Sequence, residues 1–209
     1  MPGSCPAGGV EHPARARLLL TRPTTVLAVE DALAGSGLGL ARGEVRLVPS
    51  TSSWQAAYER LAPTLRAALG DLAIAVEHIG STAVPGLPAK PILDIAVGLA
   101  PNAAEAAVVE ALEGLGFIYR GAAEDGDGLN LMFGWEDAPR RRVANLHVVA
   151  HGGRRWREWV GFRDRLRADD QLRDEYAALK AELARRFPDD RRAYIAGKDA
   201  FVNGQRGYL

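Results

Sequence analysis

The chain has 209 residues, enough for one domain with a sizeable core plus a tail. Hydrophobic residues make up 47% and charged residues 25%, and 26 Lys+Arg balance 26 Asp+Glu. That composition is ordinary for a folded domain, and the balanced charge gives no global field toward nucleic acid. No apolar run approaches the roughly 20 residues that span a bilayer, so neither a membrane nor nucleic acid is an expected partner. Arginines crowd residues 140–192, which reads as a solvated helical face or as a local basic surface. The single cysteine, Cys5, cannot form an internal disulfide, which suits a reducing, cytoplasmic setting.

Residues 1–43 are rich in Gly, Pro, Ala, Ser and Arg and bury little by composition. They read as a flexible N-terminal extension to a domain spanning 44–209, the alternative being a surface helix at 24–33 capped by Thr24 or Thr25. A strand is expected at 44–48. Ser52 or Ser53 then caps a helix carrying Trp54, Ala57, Tyr58, Leu61, Leu65 and Leu69 on one stripe, with Pro63 as a kink or an exposed position. Residues 73–79 and 92–99 read as strands joined by a loop at 80–91. A helix at 103–115 closes on Gly114 and Gly116. Strands at 117–120, 129–135 and 143–150 follow, the first two separated by an acidic, glycine-rich loop. Helices at about 155–167, 169–187 and 189–203 end the chain, the middle one with Leu172, Tyr176, Leu179 and Leu183 on a single face. The order implies an α+β fold, a mixed β-sheet with flanking helices and a helical C-terminal part.

The chemistry concentrates around 78–95. In the strand at 92–99, Leu93, Ile95, Val97 and Leu99 share one face, while Ile92, Asp94, Ala96 and Gly98 share the other. A carboxylate among small neighbours implies open space above it, as a ligand site needs. The alternative is a structural aspartate bonded to the Gly80-Ser81 backbone or to Lys90. Asn145 and His147 share a face of their strand in the same way. Gly80 permits a tight turn, and Ser81 and Thr82 offer hydroxyls and backbone N–H groups that can cradle phosphate oxygens. Lys90 adds a cation, and Pro85, Pro88 and Pro91 restrict the loop. No Gly-Lys-Ser/Thr follows, so the loop is not a Walker A motif.

The run from His78 to Ile95 resembles the GrpB family, whose signature is much like "HiGSTavpGl-aKPiiDi". Leu47-Val48-Pro49 with Trp54 resembles the family's opening, and Asn145-Leu146-His147 its His-Leu-His strand. Residues 162–167 resemble its "FRdyLR" helix, and 176–180 and 194–201 its closing motifs. The resemblance covers about 45–209. It implies a nucleotidyltransferase-like fold, in which a Gly-Ser turn precedes a strand bearing Asp-x-Asp, and kinship with domains fused to dephospho-CoA kinases. Two positions depart from the pattern: Ala96 stands where a second metal-binding carboxylate belongs, and Asn145 replaces the first histidine.

The resemblance implies a nucleotide-dependent transferase that moves a nucleotidyl or phosphoryl group to a small acceptor, including ATP-dependent condensation. Asp94 would hold metal or activate the acceptor, and His147 would act as acid/base or as a ligand to the acceptor. Gly80, Ser81, Thr82 and Lys90 would hold phosphates, and His78, Asn145, Arg163, Lys180 and Lys198 would line the pocket. ATP or another nucleotide is the expected substrate, with one Mg²⁺ on Asp94 and triphosphate oxygens; Glu124, Asp125 or Asp127 could add a ligand. Two other classes fit the sequence: a non-catalytic nucleotide- or coenzyme-binding module with a degenerate metal site, and an interaction protein working through its arginine-rich helices.

Overall fold

The computed structural model describes residues 23–123 and 128–206. Its elements, in chain order, are α1 (Thr24–Leu33), β1 (Leu40–Ala41), α2 (Ser52–Leu69), β2 (Ala73–Ile79), β3 (Leu93–Leu99), α3 (Glu105–Glu113), β4 (Ile118–Ala122), β5 (Asn130–Ala138), β6 (Arg141–Ala150), α4 (Arg154–Ala168), α5 (Asp170–Arg186) and α6 (Arg191–Arg206). The strands form one sheet in the order β2-β3-β6-β5-β4, with β1 paired to β6. β3 and β6 run parallel, and every other pair is antiparallel. The mixed α/β architecture matches the sequence expectation.

Strand alternation divides the sheet into two working faces. Leu93, Ile95 and Val97 of β3 lie level with Ala144, Leu146 and Val148 of β6, and all are fully buried. With Leu131 and Phe133 of β5 they join one core with residues of α1, α2 and α3. The opposite face carries Asp94, Ala96, Asn145 and His147 and is overlain by α4 and its C-terminal neighbours.

Several local expectations shift. No regular strand forms at 44–48; a single bridge, Val48 to Ala89, takes its place. α2 is capped one residue early, the Thr51 side chain accepting from the Ser53 N–H, and Pro63 is an exposed position within it. α5 is capped by Asp169, which accepts from the Leu172 N–H.

The larger change is at the N-terminus. Residues 24–33 form the helix offered as the alternative to a flexible extension, but it does not lie on the surface: α1 buries Val29, Ala32 and Leu33 in the main core. Neither threonine caps it with a side chain; Thr25 Oγ1 instead donates to the Gly114 carbonyl at 2.8 Å, tying α1 to the end of α3. β1 pairs Leu40 with Arg142 and Ala41 with Arg141, on β6 just before β3 begins its own pairing at Ala144. Residues 1–22 lie outside the described residues.

Candidate active site

The register of β3 and β6 assembles the site. Asp94 lies opposite Asn145, and Ala96 lies opposite His147. Asn145 Nδ2 donates to Asp94 Oδ1 at 2.8 Å, and His147 Nε2 lies 3.6 Å from the same oxygen. Burial pushes the Asp94 carboxyl up, but the His147 contact, the Asn145 amide and the Lys90 charge together hold it below its ordinary value. Asn145 is itself held: its Oδ1 accepts from Arg142 at 2.8 Å, and Arg142 pairs with Glu136 at 3.2 Å. His147 rests against Trp159 of α4, ring centroids 5.0 Å apart.

The loop after β2 brings its backbone over this carboxylate. Gly80 has φ +69°, a conformation that L side chains rarely adopt, and leads into a 3-10 turn at Ser81–Ala83. The turn is closed by Ala83 N–H to the Gly80 carbonyl and Val84 N–H to the Ser81 carbonyl, both 3.2 Å. Lys180 Nζ donates to the Pro88 carbonyl and so pins the far end of the loop to α5.

Gly80, Ser81, Thr82, Lys90, Asp94, Asn145, His147, Lys180 and Lys198 all line one cleft of about 380 Å³. The structure adds residues that the sequence did not single out for the site: Met132, Trp159, Phe162, Arg191, Tyr194 and Ile195. Met132 sits opposite His147 in the β5/β6 register, a placement legible only once the pairing is known. Tyr194 serves as a platform between two cations, with Lys90 5.1 Å and Lys198 4.8 Å from its ring centroid. Lys180 lies 5.0 Å from the Tyr176 ring. Burial and the neighbouring Lys198 and Lys90 charges push Lys180 down to about 7. Burial, Lys198 and Arg191 push Lys90 down to about 8. Lys198 is also lowered, chiefly by burial. Such clustered, desolvated ammonium groups repel one another and favour a multiply charged anion among them.

Two expected pocket residues lie elsewhere. His78 pairs with Ile95 in the β2/β3 register and therefore faces α2, away from Asp94. Its ring stacks on Tyr58 at 5.0 Å, and its nitrogens bond to Gln55 at 2.9 Å and Thr82 at 3.0 Å. Burial pushes it down to about 3, so it is a neutral structural residue. Arg163 of α4 is buried in a clamp, bonding to Glu77, the His78 carbonyl and Asp164, each at 2.8 Å. It fastens α4 to β2 and does not line the cleft.

The open space expected above β3 exists only at the Asp94 end. Ala96 is fully buried in a cluster with Ile79, Val149 and Trp156. Beyond it, a side chain on Gly98 would meet His151 at 2.8 Å and Trp156 at 2.9 Å. Helix α4 thus fills the place a second carboxylate would occupy. Among the described residues no group of three His, Cys, Asp or Glu could hold a metal ion, and Asp94 is the one carboxylate lining the cleft. One carboxylate suits a single oxygen-ligated ion shared with a ligand's phosphates, not a two-metal site. Glu124, Asp125 and Asp127 lie outside the described residues.

A family model described as "GrpB protein" matches residues 44–206. The chain belongs to the GrpB family. It is similar to the glutamate-rich protein GrpB of Alkalihalophilus pseudofirmus, 32% identical over 79% of this chain and 96% of the relative. It is 35% identical to a UPF0157 protein of Halalkalibacterium halodurans, over 76% of this chain and 78% of that one. A crystal structure of conserved protein GrpB from Enterococcus faecalis superposes with a TM-score of 0.69 at 28% identity, over 78% of this chain and 96% of that one. The chain is also 32% identical to a dephospho-CoA kinase of Mycolicibacterium paratuberculosis, spanning 44% of that protein's length. Within the GrpB match, the cleft's residues lie at the end of β2, on the loop at 80–92, on β3, β5 and β6, and on the helices α4 to α6; α1 and β1 precede it.

Proposed function

We propose that this GrpB protein is a nucleotide-dependent transferase that moves a nucleotidyl or phosphoryl group from ATP or a related nucleotide to a small acceptor. The observation that carries the reading is the placement of Asp94 and His147 at one end of a cleft whose remaining charged groups are Lys90, Lys180, Lys198 and Arg191. A triphosphate satisfies those cations, while the Ser81 and Thr82 backbone receives its oxygens. The acceptor's oxygen or nitrogen bonds to phosphorus as the bond to the leaving group breaks, releasing the nucleoside diphosphate in phosphoryl transfer or pyrophosphate in nucleotidyl transfer. His147, oriented by Asp94, takes the acceptor's proton, and the lysines neutralise the departing phosphates. A single Mg²⁺ held by Asp94 would supply further charge neutralisation at the phosphates.

The filled position over Ala96 favours a second reading, a binding module that retains the nucleotide pocket without turnover. One experiment separates the two. ATP is titrated with and without Mg²⁺, and ADP or pyrophosphate release is followed with a panel of small alcohols, amines and carboxylates. The transferase reading expects binding plus acceptor-dependent release, with Asp94→Asn and His147→Ala losing release but not binding. Tight binding without release under any acceptor supports the module. No nucleotide affinity at all overturns both.

A further inference from the structure

A second cleft of about 230 Å³ opens beside the first and shares Lys90, Ile92, Met132 and Arg191 with it. Its charged lining is Arg42, Arg120, Arg142, Arg191 and Lys90 against a single carboxylate, Glu44. Glu44 is drawn outward by Arg46 at 2.8 Å. The nearby Glu136 is shared by Arg120 at 2.6 Å and Arg142 at 3.2 Å, so one carboxylate serves two guanidinium groups. Arg142 Nε is buried with no hydrogen-bond partner, and among the described residues no carboxylate pairs with Arg42 or Arg191. Excess positive charge in a concave site is a configuration that an anion completes.

The wall formed by Leu40, Ala41, Arg42 and Gly43 precedes the GrpB match at residue 44. That wall is held in place: Gly39 N–H donates to the Pro91 carbonyl at 2.7 Å, and Arg42 N–H to the Arg140 carbonyl at 2.8 Å. The N-terminal segment therefore contributes chemistry to the cleft as well as packing to the core.

We propose that this side cleft is a second anion site that binds the phosphate group of a phosphate-bearing acceptor, next to the nucleotide in the main cleft. The assignment of the occupant as acceptor rests on the transferase reading; the anion site itself does not. Arginine forks suit phosphate, which accepts from several donors at once, better than they suit a single carboxylate. Arg142 links the two clefts physically, since it donates to Asn145, which in turn donates to Asp94. An anion drawn onto Arg142 thus bears on the group that orients the reacting end.

The test uses the full chain at fixed ionic strength and reads inorganic phosphate binding by calorimetry, in the presence and absence of ATP, with acetate as the carboxylate arm. Arg42→Ala and the Arg42→Ala/Arg120→Ala pair are compared with Arg42→Lys, since among the described residues Arg42 has no side-chain partner whose loss would disturb folding. Phosphate affinity should fall at least tenfold in the double variant and recover in part with lysine, while ATP affinity stays within about twofold. Loss of phosphate binding in the variants of a protein that never binds ATP would uphold the anion site and remove the nucleotide reading. Phosphate that binds wild type and variants equally, phosphate excluded whenever ATP is bound, or acetate that binds as well as phosphate, each overturns the proposal.

Discussion

Gly80 and Asp94 approach so closely that a Cβ on Gly80 would lie 2.8 Å from the Asp94 carboxylate oxygen. The turn that presents Ser81 and the carboxylate it covers are therefore parts of one packed unit. Gly80→Ala adds both a steric overlap and an unfavourable positive φ, together worth about 1–3 kcal/mol of stability. Thermal unfolding should register that loss, and ATP affinity should fall by more than the loss of stability explains, because the turn must retreat from Asp94. An alanine variant with wild-type affinity would show that the turn does not hold the ligand.

Acid should destabilise the fold through His78. Its folded pKa of about 3 lies below its ordinary 6.5, so between those values the unfolded chain binds the extra proton. Stability is then full above pH 6.5 and declines as pH falls toward 3, by about 3 kcal/mol at pH 4. His78→Gln keeps hydrogen-bonding capacity toward Gln55 and Thr82 but cannot titrate. Denaturant unfolding at pH 7 and pH 4 should show a smaller pH difference in the variant than in the parent.

The cleft lysines predict proton uptake on ligand binding. Lys180 and Lys90, at about 7 and about 8, are partly uncharged near pH 8, and an incoming polyphosphate favours their charged forms. Calorimetry of ATP binding in buffers of different ionisation enthalpy should show protons taken up at pH 8, with affinity declining as pH rises from 7 to 9. Lys180→Met should reduce the uptake, because one of the titrating groups is gone.

The helix ahead of the GrpB match should be essential to the fold. Leu33 is 5% exposed within the main core, and Leu33→Ala should cost about 2–4 kcal/mol. A chain beginning at residue 44 loses Val29, Ala32, Leu33, Leu38 and Leu40 from the core and should melt well below the full chain. Equal melting temperatures would mean that α1 packs without stabilising.

Much of this was legible before the structure, and what was not has a physical pattern. The 2-residue period of β3 and β6 put Asp94, Asn145 and His147 on matching faces, and the parallel register then set them side by side. His78 belongs to the opposite phase of β2, which its position beside the Gly80-Ser81 turn concealed: adjacency along the chain is not adjacency on a sheet. Arg163 looked like a pocket cation because the helix phase that aims it at Glu77 depends on how α4 crosses the sheet. Composition misread residues 24–41, since a few apolar side chains, correctly spaced, sufficed to bury α1. Tyr194 and Arg191 reach the cleft from the last helix, a long-range arrangement that no local pattern encodes.

That last helix has a mechanical consequence. α6 contacts α5 and α4 and pairs with no strand, yet Arg191, Tyr194 and Lys198 on it form a wall of the cleft. Without an anion, its cations face Lys90 and Lys180 across the gap, and this mutual repulsion works to pry the wall outward. A bound polyphosphate reverses the sign of that force and becomes a clasp for the final 16 helical residues. Occupancy should thus be readable at a distance from the chemistry, as slowed amide exchange along α6 with little change in the central strands.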